Sequence, residues 1–191
     1  MTPEERLRAI LEAAVAVFLR FGFRKTSMDE VARAAHLSRQ GLYLHFSTKE
    51  DLFRAALQHA FESSLAAANG ALADASVGLE TRLTTAMDEW LGRYIGVATS
   101  SAADLAEASG GVAGPMHDDY EGSFLEALTK ALRSSGLPAA YKPAGLSARQ
   151  LASTLLATAR GLKHTCASRK AFGEDVSVAV RALCFPLRVG P

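Results

Sequence analysis

Several features that mark other classes of protein are scarce in this sequence. Cysteine occurs twice, at Cys166 and Cys184, with neither the number for a disulfide framework nor the spacing of a zinc site. Aromatic residues make up 7% of the 191 residues, a low share that favours helix over sheet. No run of about 18 uncharged apolar residues occurs, so we expect no membrane-spanning helix. The acidic start of the chain does not resemble a signal peptide. The sequence therefore predicts a cytoplasmic protein that binds no metal and no other cofactor.

A strong excess of charge of either sign is also missing, because the formal net charge is +1. This balance argues against a protein that coats nucleic acid along its whole surface. Residues 1–60 nevertheless carry nine Lys or Arg against seven Asp or Glu, whereas residues 61–191 carry twelve against thirteen. The small basic excess fits a compact DNA-binding surface, but charge alone fits an ordinary solvated surface as well.

Helical patterns run through the whole chain. Alanine and leucine are abundant, and apolar residues recur at the three-and-four spacing of amphipathic helices, while no alternating strand pattern occurs. We expect an all-α protein of about nine helices, with a linker at 69–78 and a loop at 136–146. The predicted helices span 4–21, 28–35, 39–45, 49–68, 79–97, a broken stretch near 101–109, 115–135, 148–166 and 174–185.

Polar caps and helix-ending residues set these predicted bounds. Gly22 is expected to end the first helix, and Pro186 the last. Ser38 is placed to cap the third helix. Three other helices are expected to start at a serine followed three residues later by glutamate or glutamine, the spacing of a capping box. These pairs are Ser27 with Glu30, Ser47 with Glu50, and Ser147 with Gln150.

The three helices at the start of the chain predict a helix-turn-helix. In such a unit one helix lies across the DNA backbone, and the next presents its first residues to base edges in the major groove. Arg39 can bond guanine O6 and N7, and Gln40 can bond adenine N6 and N7. Gly41 leaves room for a close approach to a surface, and Leu42 and Leu44 can anchor the helix to the core.

Residues 6–53 resemble the DNA-binding domain of TetR-family transcriptional regulators. The resemblance rests on a first helix that ends Phe21-Gly22-Phe23 and on three runs after it. These runs are Lys25-Thr26-Ser27-Met28-Asp29-Glu30-Val31-Ala32, Leu37-Ser38-Arg39-Gln40-Gly41-Leu42-Tyr43-Leu44-His45-Phe46 and Ser47-Thr48-Lys49-Glu50-Asp51-Leu52-Phe53. The family usually has glycine where His36 stands, so the turn there is expected to differ in detail.

The resemblance implies roles for individual residues of the helix-turn-helix. The positions that read bases correspond to Arg39, Gln40 and Leu44. The positions that contact phosphates correspond to Thr26, Ser38, Tyr43, His45 and Lys49, and Gly41 is expected among them as a positioning residue because it leaves room for the approach. Lys49 also lies at a helix N-terminus, where backbone N–H groups favour a phosphate. Taken singly, several of these residues fit ordinary core, cap or surface positions, and it is their order and spacing together that favour DNA binding.

The resemblance also implies two domains and a homodimer. We expect a helix-turn-helix domain at 1–48 and a larger effector-binding and dimerisation domain at 49–191, with helix 49–68 connecting them. A two-fold dimer would set two recognition helices about 34 Å apart, as a palindromic operator in double-stranded DNA requires. The last two helices have apolar faces broad enough for a dimer seam. The predicted seam comprises Leu151, Leu155, Leu156, Ala159, Leu162, Val176, Ala179, Val180 and Leu183.

A pocket for a small, mostly apolar effector is expected in the C-terminal domain. Aromatic side chains with polar tips suit such a ligand, although aromatic residues at helical spacing more often form plain core. The predicted lining comprises Met87, Trp90, Tyr94, His117, Tyr120 and Phe124. Arg160, Lys163 and His164 could orient an acidic effector.

These expectations together predict a repressor that leaves its operator when a small-molecule effector binds. An activator, and a DNA-binding protein without effector control, are the alternatives. An enzyme is not expected, because no metal-binding spacing, phosphate-binding loop or paired carboxylates stand out. His164 and Cys166 point about 200° apart on one helix, so they cannot form a nucleophile–base pair.

Overall fold

The computed structural model describes residues 2–96 and 113–189, and all regular secondary structure in these two ranges is helical. The all-α prediction is therefore confirmed. The broken helix predicted near 101–109 lies outside the described residues. The helices are α1 Pro3–Lys25, α2 Met28–Ala34, α3 Arg39–Tyr43, α4 Lys49–Ala73, α5 Leu79–Met87 with a π-helical continuation Asp88–Gly92, α6 Ala113–Arg133, α7 Leu137–Ala140 with a 3₁₀ turn Lys142–Ala144, α8 Ala148–Thr165, α9 Arg169–Cys184 and α10 Pro186–Val189.

The predicted serine caps of α2, α3 and α8 are confirmed. Ser27 and Ser147 each accept a hydrogen bond from the N–H three residues later, and Glu30 and Gln150 accept one from the N–H of their serine. Ser38 accepts the corresponding bond at the start of α3, at 3.0 Å. A cap of this kind is worth about 1 kcal/mol, so these serines fix where the three helices begin.

α4 and α9 are longer than their patterns predicted. α4 continues through the predicted linker to Ala73, because the alanine-rich extension favours helix and Leu72 is buried. α9 begins at Arg169 instead of 174, because the Ser168 hydroxyl caps it by accepting a backbone N–H hydrogen bond at 3.2 Å.

Two other local predictions were wrong. The loop predicted at 136–146 contains α7, which forms because its first residue, Leu137, is fully buried. The cap of α4 is Thr48 and not Ser47. The Thr48 hydroxyl accepts a hydrogen bond from the Asp51 N–H at 3.0 Å and donates one to the Asp51 carboxylate at 2.7 Å.

The described residues form two compact units. The first unit comprises residues 2–63 and 113–119, and the second comprises residues 64–96 and 120–189. The core of the first unit consists of Ile10, Ala14, Val17, Phe18, Met28, Val31, Ala32, Leu42, Leu52, Phe53 and Ala56. In the second unit α9 packs against α5 and α8. The largest buried side chains there include Leu83, Met87, Phe124, Leu128, Leu132, Leu137, Leu156 and Phe172.

The turn between α2 and α3 holds His36 in the left-handed region, with φ 55°. The His36 N–H donates to the Arg33 carbonyl at 3.1 Å, and the Leu37 N–H donates to the Ala32 carbonyl at 2.8 Å. This pair of bonds is a Schellman motif, in which the left-handed position is usually glycine. The turn therefore keeps the geometry of a glycine-containing turn, and His36 adopts a left-handed φ that is unfavourable for a residue with a Cβ.

Replacing His36 by glycine is expected to stabilise the protein by about 1 kcal/mol, because glycine adopts a positive φ without a steric penalty. The measurement is the free energy of unfolding from a urea titration. His36→Ala is the control, since it removes the imidazole but keeps the Cβ, and it should bring no such gain. An equal gain in both variants would assign the effect to the imidazole and not to the backbone.

Candidate nucleic-acid interface

α2 and α3 form a helix-turn-helix whose inner side is fixed by buried apolar residues. Val31 on α2 and Leu42 on α3 are both fully buried in the core of the first unit. α3 has five residues, too few to be stable in isolation. Its position therefore depends on Leu42 and on the Ser38 cap, while its other side chains are left to face solvent.

The three predicted base-reading residues are all exposed. Arg39 and Gln40 lie in the first turn of α3, and Leu44, directly after the helix, is 83% exposed. Tyr43 and His45, two of the predicted backbone-contacting residues, are exposed as well. A solvent-facing leucine contributes nothing to the core, and contact with a thymine methyl group is a role that suits it.

Gly41 packs closely against the cap of α3 inside the motif. A Cβ at this position would lie 3.2 Å from the Ser38 hydroxyl oxygen and 3.9 Å from the Leu37 Cβ. That hydroxyl is the acceptor of the Gly41 N–H, so a larger side chain would press on the cap that starts α3. The glycine thus has a structural reason that is independent of any approach to DNA.

Arg39 is held by two neighbours. Its Nη1 donates to Asp29 Oδ2 at 3.1 Å, and its guanidinium carbon lies 5.6 Å from the centre of the Tyr43 ring. Hydrogen bonding with Tyr43, followed by the negative charge of Asp29, raises the pKa of Arg39. Like other arginines in proteins, it is charged at neutral pH without that shift. The sequence did not predict Asp29 at the interface, because a pair ten residues apart on two helices follows no periodic pattern.

Thr26 is buried, with 3% of its surface exposed, and its hydroxyl donates to the Gly22 carbonyl at 2.7 Å. Gly22 has φ 78° and ψ 166°, so α1 is kinked at this residue and continues to Lys25, whereas the sequence predicted that it would end there. The Thr26 hydroxyl binds a carbonyl that the kink releases from the helix. In this arrangement the hydroxyl fixes the connection between α1 and α2 and is not presented to solvent.

Lys49, the first residue of α4, connects three segments of the first unit. Its Nζ donates to the carbonyls of Phe23 and Thr26 at 3.0 and 3.1 Å and lies 4.2 Å from the centre of the Phe23 ring. The Phe23 ring lies 6.0 Å from that of Phe18 and 5.1 Å from that of Phe53. An ammonium has three N–H donors, so one remains for a phosphate. Lys49 therefore has a structural role that its sequence position did not reveal.

The predicted effector-pocket residues belong to different units. His117 lies in the first unit, where its ring meets that of Phe61 edge-on at 5.7 Å. The second unit contains Met87, Trp90, Tyr94, Tyr120 and Phe124. Trp90 and Phe124 are buried and stack at 5.4 Å, and Met87 is buried too, whereas the two tyrosines are half-buried.

An ion pair between a buried carboxylate and an exposed arginine links α6 and α8 within the second unit. Glu121 is 9% exposed, and its Oε1 accepts a hydrogen bond from Arg160 Nη2 at 2.6 Å. Arg160 was expected to orient an acidic effector. The structure shows that Arg160 neutralises a carboxylate of its own chain.

The residues of the predicted dimer seam are largely packed inside the chain. Leu162, Ala179 and Leu183 are half-buried. The buried members are Leu151, Leu155, Leu156, Ala159, Val176 and Val180. An exposed apolar stripe nevertheless remains along α9 and the residue that caps it. It is formed by Val178 (55% exposed) and Ala182 on the helix and by Phe185 (57% exposed), which follows in helical conformation. Positions i, i+4 and i+7 lie on one face of a helix, so we refer to these three residues as the α9 stripe.

Neither cysteine has the features of a nucleophile. Burial raises the pKa of Cys184 to about 11. The pKa of Cys166 is also raised, first by desolvation and then by the nearby Asp175 carboxylate. Thiols that stay protonated at neutral pH react poorly. Within residues 2–96 and 113–189, no group of three His, Cys, Asp or Glu is placed to hold a metal, and no helix is long and apolar enough to cross a membrane.

The segment that contains the helix-turn-helix is similar to known proteins. Residues 10–56 match the sequence model described as bacterial regulatory proteins, tetR family. Over 62 residues the chain is 40% identical to YfiR of Bacillus subtilis, an uncharacterised HTH-type transcriptional regulator, in an alignment that covers 32% of this chain and 30% of YfiR. The match thus spans less than a third of that relative. The predicted resemblance to the TetR family is confirmed.

Solved structures extend the likeness in fold to almost the whole chain. A candidate TetR-family regulator from Mesorhizobium loti superimposes with a TM-score of 0.66 over 97% of this chain and 98% of its own, at 20% sequence identity. AibR, solved in complex with isovaleryl coenzyme A and operator DNA, gives a TM-score of 0.58 over 93% of this chain and 97% of its own, at 19% identity. At such low identity these likenesses establish the fold.

Proposed function

We propose that this protein is a transcriptional regulator that binds double-stranded operator DNA in a sequence-specific manner. The observation that carries the proposal is the exposed set Arg39, Gln40 and Leu44 around a short helix that Leu42 anchors in the core. These side chains suit the hydrogen-bonding and methyl groups that base pairs present in the major groove. The family match at 10–56 covers this helix and supports the same role.

Contacts to the DNA backbone are proposed for residues that surround this set. Ser38, Tyr43 and His45 are exposed and carry hydroxyl or imidazole donors. Two of the three N–H groups of the Lys49 ammonium bond internal carbonyls, and the third is proposed to donate to a phosphate. Thr26 is proposed to act indirectly, because it fixes the α1–α2 connection whose carbonyl group Lys49 binds. Such contacts set register and salt dependence, whereas base contacts set sequence choice.

Binding as a homodimer is part of the proposal. A palindromic operator requires two recognition helices related by a two-fold axis. The α9 stripe offers an apolar surface that residues 2–96 and 113–189 leave uncovered, and it lies along a helix that packs against α8. We propose that α8 and α9 pack against the same helices of a second copy, with Val178 and Phe185 among the residues buried between the copies.

Control by a small molecule completes the proposal. AibR, which shares the fold, was solved with both an acyl-coenzyme A and operator DNA. In this chain the stacked Trp90 and Phe124, with the half-buried Tyr94 and Tyr120, support a mostly apolar pocket with hydroxyl groups in the second unit. An effector releases the operator when it binds one conformation of the dimer better than the other. We therefore propose a repressor relieved by an effector.

Selection from a pool of random duplexes should enrich a palindromic sequence with the wild-type protein. Arg39→Ala should weaken the preference at one base pair of each half-site by about 1–3 kcal/mol, because a bidentate contact to guanine is lost. Lys49→Met should lower affinity for every sequence and reduce the slope of log K against log salt by about one per subunit, because a phosphate contact is lost.

Lys142→Met is the matched control for Lys49→Met, since it removes the charge of an exposed lysine outside the helix-turn-helix. It should leave both affinity and salt slope unchanged. An unchanged slope in Lys49→Met, with a lower free energy of unfolding, would restrict Lys49 to its internal hydrogen bonds. The absence of any enriched sequence at moderate salt would contradict the proposed function.

Val178→Glu should weaken self-association by about 100-fold or more, because burying an unpaired carboxylate costs several kcal/mol. Sedimentation equilibrium measures this as a fall from the dimer mass to the monomer mass. Val77→Glu makes the same change at an exposed turn position and should remain dimeric. The proposed seam is contradicted if Val178→Glu stays dimeric under conditions where the wild type is dimeric.

An effector is expected to weaken operator affinity by about 5- to 150-fold, the usual range of coupling between two sites. The first panel to screen is a series of acyl-coenzyme A thioesters and free branched and linear acids, by thermal shift. Operator affinity is then measured by fluorescence anisotropy with and without each stabilising compound. A compound that binds and leaves affinity unchanged argues against effector control through its site, and one that raises affinity argues against relief of repression.

A further inference from the structure

Asp29 places a negative charge beside the residue proposed to read guanine. Its carboxylate on α2 accepts a hydrogen bond from Arg39 Nη1 at 3.1 Å, and the guanidinium carbon lies over the Tyr43 ring, 5.6 Å from its centre. Both charged side chains are well exposed, at 63% for Arg39 and 49% for Asp29. A carboxylate on a surface that approaches phosphates is repelled by them, so its presence calls for a compensating effect.

The contact with Asp29 limits the places that Arg39 can reach. An exposed arginine has many rotamers and forms ion pairs with any phosphate nearby, whatever the base sequence. Asp29 and Tyr43 together hold the guanidinium between the start of α2 and the end of α3. Arg39 has five N–H donors. With one bonded to Asp29 and another to Tyr43, three remain, and two of them can bond guanine O6 and N7.

We propose that Asp29 is a positioning residue that sets sequence specificity, because it holds Arg39 for base reading and competes with phosphates for its guanidinium. This inference rests on the proposed function. Asp29 lowers affinity for DNA of arbitrary sequence and raises affinity for the operator, so it acts on the ratio of the two. A carboxylate that only repelled phosphates would lower both affinities by the same factor and leave the ratio unchanged.

Asp29→Ala is expected to lower the ratio of operator affinity to random-duplex affinity by about tenfold, within the range that one bidentate base contact supplies. Its affinity for random duplex should rise, with a salt slope steeper by about one per subunit, because Arg39 then pairs with a phosphate. Both affinities are measured by fluorescence anisotropy at several salt concentrations, on the operator that selection with the wild-type protein provides.

Two further variants separate positioning from general repulsion. Glu50→Ala removes an exposed carboxylate from the first turn of α4 and should raise both affinities alike, leaving the ratio unchanged. In the Arg39→Ala background, Asp29→Ala should cause no further loss of the ratio, because the two residues act as one unit. Asp29→Asn keeps the shape of the side chain and should lower the ratio by a smaller factor, which covers the case in which Asp29→Ala does not fold.

An unchanged affinity ratio in both Asp29 variants overturns the inference. So does a double variant, Arg39→Ala with Asp29→Ala, whose loss of the affinity ratio equals the sum of the losses in the two single variants. These outcomes leave the proposed function intact, because they are measured on an operator that the wild-type protein has already selected. Failure of the wild type to select any sequence contradicts the proposed function itself.

Discussion

The position of the helix-turn-helix depends on how α4 begins. Lys49 opens α4, and its ammonium binds two carbonyl groups at the end of α1 and the residue that follows it. The Phe23 ring next to the ammonium also meets Phe53, one turn further along α4. A shift of this end of α4 would strain charged hydrogen bonds and an aromatic cluster together. The first turn of α4 and the α1–α2 connection therefore behave as one body, which any signal carried along α4 would have to move as a whole.

The kink at Gly22 makes this arrangement possible. Residues five apart on a straight helix point about 140° away from each other, so the rings of Phe18 and Phe23 could not meet. With φ 78° at Gly22 the two rings lie 6.0 Å apart and nearly parallel. A β-carbon at Gly22 would disfavour this φ, and the freed carbonyl would lack a partner without the Thr26 hydroxyl. Gly22 and Thr26 thus fix the connection between α1 and α2, on which the position of Lys49 depends.

The sequence could predict what depends on near neighbours along the chain. Ser27 and Ser38 act on residues three positions away, so their caps follow from spacing alone. The contact of Lys49 with Phe23 joins residues 26 apart, and no period of a helix describes it. A broad apolar face on α8 or α9 shows that residues are buried, but not whether their own chain or a second copy covers them. Residues such as Leu155 were therefore expected at a dimer seam and are found in the core of the second unit.

The helix-turn-helix separates the residues that hold α3 from those that face solvent. Ser38 and Leu42 are engaged inside the motif, so Gln40 and Leu44 can be exchanged with little effect on its packing. Arg39 differs, because its removal leaves the carboxylate of Asp29 without its partner on the surface that meets phosphates. A change at Arg39 alone would therefore weaken binding to every sequence as well as altering base preference. Arg39 and Asp29 together therefore determine which base pair is preferred at this position. A variant that prefers another base pair and keeps full affinity requires changes at both residues.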